Sequence, residues 1–263
     1  MNKENYMKYN TFVISLTSEH ERRAYISSSL IEKNINFSFI EAIDFRNKSD
    51  EELKKNQPKN TTSIKRDLTK GEVGCALSHI KCYQSIINED YDYSLIIEDD
   101  AEIEKLSNEK IEEIIKISSA NEYDIVILGY SKLDKEKEKE FSIFEPIKIK
   151  NYGNGFFLGS PWRQWTCGTV GYIISKKSAK KIYTHYSEKL IPFCVADDWG
   201  FLERNFDLKI LHCRPLLVFE NFTEFESSIE NDRSNFSKKN KYNFKYLKYI
   251  RGFLRRIYMN FQG

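Results

Sequence analysis

Three consecutive carboxylates, Glu98-Asp99-Asp100, follow without a break on the apolar run Tyr93-Ser-Leu-Ile-Ile97. A short run rich in β-branched and aromatic residues reads as a buried strand. Three acids at its carboxyl end repel one another, and they leave water together only where a cation neutralises them. In an open α/β sheet, the carboxyl ends of the strands are where ligands bind. The feature therefore asks for an α/β sheet with an oxygen-lined site at its edge. Such a site suits Mg²⁺ or Mn²⁺, held by one or two carboxylates plus phosphate oxygens. A solvated acidic turn leading into a helix is the competing reading, and these residues alone leave both open.

The rest of the chain alternates in the pattern of an α/β domain. Strands are expected at residues 11–16, 37–43, 123–129, 169–174, 208–212 and 216–219. The pair Ser18 and Glu21 has capping-box spacing and opens a helix reaching Glu32; Thr69 and Glu72 open another. That second helix carries Val73, Ala76, Leu77, Ile80, Tyr83 and Ile87 on one face. A third carries Ile111, Ile114 and Ile115, and a Lys-rich helix starts at Ser175. Residues 46–66 and the charge run 132–140 read as loops, and Gly153-Asn-Gly155 as a turn. No repeat or linker interrupts this order, so the reading is one domain over 1–236 and a basic tail over 237–263.

Composition narrows the class. Hydrophobic residues at 40% and aromatics at 14% are enough for a packed core. No apolar stretch approaches the roughly 20 residues of a membrane span, and the polar start Met1-Asn-Lys-Glu-Asn-Tyr lacks the apolar core of a signal peptide. The five cysteines form no C-x-x-C pair and read as reduced core thiols of a cytoplasmic protein. Charge is uneven. Eight of the 41 Lys and Arg lie after Ser237 with no acid among them, leaving 33 cations against 39 acids in the body. In this tail Leu247, Ile250, Leu254, Ile257 and Phe261 recur at helical steps, flanked by Lys245, Lys248, Arg251, Arg255 and Arg256. A basic amphipathic helix of this kind fits a membrane surface, with a helix packed on the domain or a dimer contact as the alternative. No reader motif accompanies the charge, so no nucleic-acid partner is expected.

Other positions hold chemistry at lower specificity. Ser78 and His79 are neighbours on the second helix, where a His is as readily structural as functional. Arg22-Arg23 stands just after the first strand, where a guanidinium fork would suit a diphosphate. Ala42 and Asp44 end the second strand, where a short acid either meets a ribose hydroxyl or caps a turn. Asp197-Asp198, beside Trp199 and Phe201, is either a site or an N-cap pair. Walker A, G-x-G-x-x-G, G-x-S-x-G and H-E-x-x-H patterns are absent.

Taken together, several of these segments resemble glycosyltransferase family 25, the lipopolysaccharide and lipooligosaccharide biosynthesis transferases of Gram-negative bacteria. The carrying stretches are residues 13–23, 37–44, 71–79, 97–101, 168–175, 195–201 and 227–233, in family order. The resemblance implies a GT-A fold, a Rossmann-like mixed sheet flanked by helices. It implies a UDP-sugar donor, most often UDP-galactose, and inversion at the anomeric carbon. Glu98-x-Asp100 then stands where such enzymes carry a D-x-D motif, with Asp100 and Glu98 as ligands of Mn²⁺ or Mg²⁺. Arg23, Ala42, Asp44, Ser78, His79, Glu98 and Asp99 are expected in the nucleotide-sugar pocket, with Gly168 and Thr169 beside the sugar or the acceptor. The family shows a single Asp where this chain has two. Asp197 aligns with it and is expected as the base, with Asp198 the alternate. The implied partners are a UDP-sugar and an oligosaccharide acceptor of lipooligosaccharide; the basic tail adds the cytoplasmic surface of the inner membrane as an expected partner, with a cytoplasmic, peripheral location. The competing classes are a metal-dependent phosphoesterase or nuclease, and a non-catalytic saccharide- or membrane-binding module.

Overall fold

In the computed structural model, residues 9–58, 66–189, 194–221, 225 and 245–261 are described. The strands are β1 (Asn10–Ser15), β2 (Ser38–Glu41), β3 (Tyr93–Glu98), β4 (Ala101–Glu102), β5 (Ile125–Ile127), β6 (Gly129–Tyr130), β7 (Ile147–Gly153), β8 (Phe156–Pro161), β9 (Gly171–Ser175), β10 (Ile210–Arg214) and β11 (Val218–Glu220). The helices are α1 (His20–Glu32), α2 (Asp50–Lys55), α3 (Lys70–Ile87), α4 (Asn108–Asn121), α5 (Glu138–Phe144), α6 (Lys176–Lys189), α7 (Trp199–Phe206) and α8 (Lys245–Phe261). Eight strands form one sheet in the order β2-β1-β3-β9-β5-β10-β8-β7, and a second, small sheet runs β4-β11-β6. The large sheet is mixed. β1 runs parallel to β2 and β3, β5 parallel to β10, and β9 lies antiparallel between β3 and β5.

Strand period two sets the layers. Phe12 and Ile14 of β1 and Ile96 of β3 pack on one side with Ile80, Tyr83 and Ile86 of α3, Ile182 of α6 and Trp199 of α7. Val13, Leu95 and Ile97 face the other side, with Ile26 and Leu30 of α1 and Ile111, Ile114 and Ile115 of α4. Both sheet faces are thus covered, which explains the near-continuous apolar runs. The α/β reading is borne out as a mixed sheet flanked by helices.

Local differences have identifiable causes. The box at Thr69 and Glu72 forms in full. The one expected at Ser18 does not: α1 starts at His20 after Glu19, which makes no side-chain cap. Inside the stretch read as a loop, Ser49 and Glu52 form a capping box and start α2, a six-residue helix with no fully buried residue and Leu53 as its one apolar side chain, which leaves no apolar pattern. The charge run 132–140 contains a 3₁₀ turn and the start of α5, because Glu138 is buried against the Leu216 N–H and Lys105. Residues 237–244, the proposed boundary at 236 and the 227–233 segment lie outside the described residues. α8, from the basic stretch, packs against α5 and β7.

Candidate active site

The turn after β3 sets Glu98, Asp99 and Asp100 against a cavity of about 790 Å³, a volume in the range of small-molecule sites. Asp99 and Asp100 are buried. Nη1 of Arg22, from the first turn of α1, lies 3.3 Å from Asp99 Oδ1 and 3.0 Å from Asp100 Oδ2. Glu220, at the end of β11, lines the same cavity. Burial raises Asp100 well above the usual carboxylate range, and Glu98 and Glu220 push it further, against Arg22. Burial also raises Asp99, opposed by Ser15 and Arg22. At Glu98 burial pulls upward, yet the His79 hydrogen bond and charge and the Thr169 hydroxyl outweigh it and hold the group low.

His79 is oriented from behind. Its Nδ1 lies 2.8 Å from the Tyr172 hydroxyl, which is itself 2.9 Å from the Tyr83 hydroxyl, so Nε2 points to Glu98 at 3.4 Å. A divalent cation fits the carboxylates on structural grounds. The donors are hard oxygens, acids outnumber the guanidinium bonded to them, and Asp100 Oδ1 is buried with no hydrogen-bond partner.

The two neighbouring aspartates separate by role. Asp198 is buried and caps α7, accepting the Phe201 N–H at 3.1 Å. Asp197 lines the cavity, and its Oδ2 accepts the Gly168 N–H at 2.8 Å. Gly168 has φ +86°, and a Cβ there would lie 1.8 Å from Ser131 Oγ, so only glycine fits. The next residue, Thr169, donates its hydroxyl to Glu98. Asp197, Gly168, Thr169 and Glu98 therefore form one connected wall.

Ser78 lines the cavity but serves the fold. Its hydroxyl donates to Gly74 O at 2.6 Å and accepts the Ile43 N–H at 2.8 Å, joining α3 to the segment after β2. Ala42 and Asp44 lie on the same cavity, and Asp44 is held low by its hydrogen bonds to Arg46. Arg23 is placed elsewhere: its guanidinium lies over the Phe39 ring at 4.1 Å, and the cavity lining includes Arg22 instead. Consecutive helical residues point about 100° apart, so only one of the two faces the acids. Glu220 and Tyr172 were missed by the sequence reading. Glu220 carries the same signal as Glu98, an acid directly after an apolar strand; Tyr172 carries none, because it looks like any core aromatic.

Among solved structures, the inositol-1-phosphate CTP transferase from T. maritima aligns with 87% of this chain and 96% of its own at 15% identity, with a TM-score of 0.37, too loose to argue from. Sequence relatives are closer. A Haemophilus influenzae protein with a provisional glycosyltransferase name is 30% identical over 230 residues, 84% of this chain and 76% of its own. The lipooligosaccharide biosynthesis protein lic2B of Haemophilus influenzae is 30% identical over 175 residues, covering 66% of this chain and 62% of its own. Human procollagen galactosyltransferase 2 is 26% identical over 228 residues, 79% of this chain but only 34% of its own length. The family described as glycosyltransferase family 25 (LPS biosynthesis protein) matches residues 8–199, the span that supplies α1, β3 and the Asp197 wall. The chain belongs to glycosyltransferase family 25.

Proposed function

We propose that this transferase moves a hexose, galactose from UDP-galactose, onto a saccharide of bacterial lipooligosaccharide with inversion, on a GT-A-type fold over residues 1–236. The observation that carries this reading is the buried carboxylate group at the end of β3, with its unpaired Asp100 oxygen, on a cavity large enough for a nucleotide sugar. Asp100 and Glu98 would hold Mn²⁺ or Mg²⁺, which when bound stabilises the negative charge that builds on the departing diphosphate. Arg22 adds a fixed positive charge beside the same acids. His79, locked by Tyr172, orients Glu98. Asp197 takes the proton of the acceptor hydroxyl, and the Gly168 N–H fixes its carboxylate plane for that task. Asp198, as the cap of α7, anchors the segment that carries Asp197.

The relatives named for lipooligosaccharide and procollagen galactose transfer support the donor and acceptor class. No helix among the described residues is long and apolar enough to cross a membrane. For a lipid-linked acceptor, we place the protein peripherally on the inner face of the inner membrane, with residues 237–263 as its contact. The test is a thermal-shift screen of UDP-, GDP- and CMP-sugars with and without Mn²⁺, followed by transfer assays with the best donor. A melting rise confined to UDP-galactose plus Mn²⁺, with UDP released on adding a short lipooligosaccharide-derived saccharide, is expected. Equal shifts with all donors, or phosphate-ester hydrolysis without transfer, would overturn the reading.

A further inference from the structure

α8 has two unlike faces. Toward the domain, Gly252 and Met259 are buried, and a Cβ on Gly252 would lie 2.1 Å from Ile143 O, so the helix sits close on α5. Tyr249 meets Phe144 edge-on, with ring centroids 4.8 Å apart, and its hydroxyl donates to Glu140 at 3.2 Å. Arg255 pairs with Glu145 and donates to Phe144 O at 2.7 Å. The helix is docked, not a free tail, and Arg255 is committed to the domain.

The opposite face is unlike any other surface of the described chain. Nine of its thirteen exposed large apolar side chains sit on this one helix. Tyr246, Leu247, Ile250, Phe253, Leu254, Ile257, Tyr258 and Phe261 are all exposed, with Phe253 at 63% and Phe261 at 87%. At 3.6 residues per turn these eight fill a continuous arc of about 140°, with no charged position inside it. Arg251 borders the arc and Arg256, also exposed, stands further round; Lys248 is on the domain side, its Nζ 5.8 Å from the Phe144 ring centroid. A patch of this kind marks an interaction surface.

We propose that this arc lies in the interface of an anionic phospholipid bilayer, with Arg251 and Arg256 at the depth of the headgroups. An interfacial helix buries its apolar face roughly 5–10 Å into the acyl boundary while its cations meet anionic lipid. The aromatic content suits that layer, since Tyr has one apolar and one wet end. Pairing with a second copy is disfavoured by charge. α8 has no acidic residue, so in a face-to-face pair nothing on either helix would neutralise the Arg251 that borders the arc on each copy. The docking of α8 on α5 and β7 turns the helix into a platform that sets one orientation of the domain on the membrane. The inference deepens the peripheral location proposed above and rests on it only for the acceptor's being lipid-linked.

Co-sedimentation with phosphatidylcholine vesicles containing about one quarter phosphatidylglycerol tests it. The full chain should bind them, bind pure phosphatidylcholine more weakly, and release in high salt. The triple variant Phe253→Ser, Leu254→Ser, Phe261→Ser should partition roughly tenfold less or worse, with an unchanged melting temperature and unchanged transfer to a short soluble acceptor. Equal binding of wild type and variant would overturn the proposal. So would a wild-type dimer that the variant converts to monomer while neither binds vesicles. Absence of transfer to the soluble acceptor by wild type, with vesicle binding intact, would count against the enzymatic reading and leave this surface standing.

Discussion

The buried Asp100 carboxyl is surrounded by Glu98, Asp99 and Glu220 and answered by Arg22, so the folded chain holds its proton more tightly than the unfolded one. An acid with a raised folded-state pKa contributes stability at low pH that is lost as pH rises through that value. Near neutral pH without metal, Asp100→Asn should therefore melt a few degrees above wild type, and the gap should close on acidification as wild type takes up the same proton. The same variant should lose its Mn²⁺-dependent melting rise and more than about tenfold of its transfer rate, about 1.4 kcal/mol. Scanning fluorimetry in EDTA and turnover assays check both; a lower melting point or full turnover in EDTA contradicts the assignment. The neighbouring aspartates should separate cleanly. Asp197→Asn should cut turnover at least about tenfold while UDP affinity holds within roughly twofold. Asp198→Ala should instead cost about 1 kcal/mol of stability through the lost cap of α7, read in urea denaturation. If Asp198→Asn proves the more damaging change to turnover at unchanged stability, the roles are reversed.

At the scale of elements, spacing alone was enough where one helix or strand satisfies itself. The Thr69–Glu72 box is closed within four residues, and α3 begins where it says. Removing the Thr69 hydroxyl in Thr69→Ala should destabilise by about 1 kcal/mol and leave the site chemistry intact. Spacing was not enough where a distant partner decides. The box at Ser18 is equally well spaced but unused, and the acid that builds α5 is Glu138, whose partners Lys105 and Leu216 are far off in sequence. The seat of α8 is of the second kind. Gly252→Val should push the helix from Ile143 and raise amide exchange across residues 245–261, with the exchange of α3 and β3 unchanged. Unaltered exchange in α8 would show that the helix tolerates a side chain there.

For the whole molecule, what matters is that β1 and β3 run parallel as neighbours in the sheet, so their carboxyl ends open on one edge. The segment after β2, the start of α3, the Gly168 turn and Asp197 converge on the same cavity. Saturating UDP-galactose with Mn²⁺ should raise the melting temperature more than the sum of either alone, since diphosphate and metal meet at one place; strictly additive shifts would place them apart. Sequence by itself determined the α/β class, the acidic strand end and the helix of α8, because each is written in neighbouring residues: a run of β-branched side chains followed by acids, or an apolar stripe at helical steps. Only the tertiary structure decided which of two adjacent residues does what. Arg22 faces the acids and Arg23 faces Phe39; Asp197 faces the cavity and Asp198 caps a helix. Adjacent residues share a composition and a context, and they part only by the direction in which the packed backbone aims them.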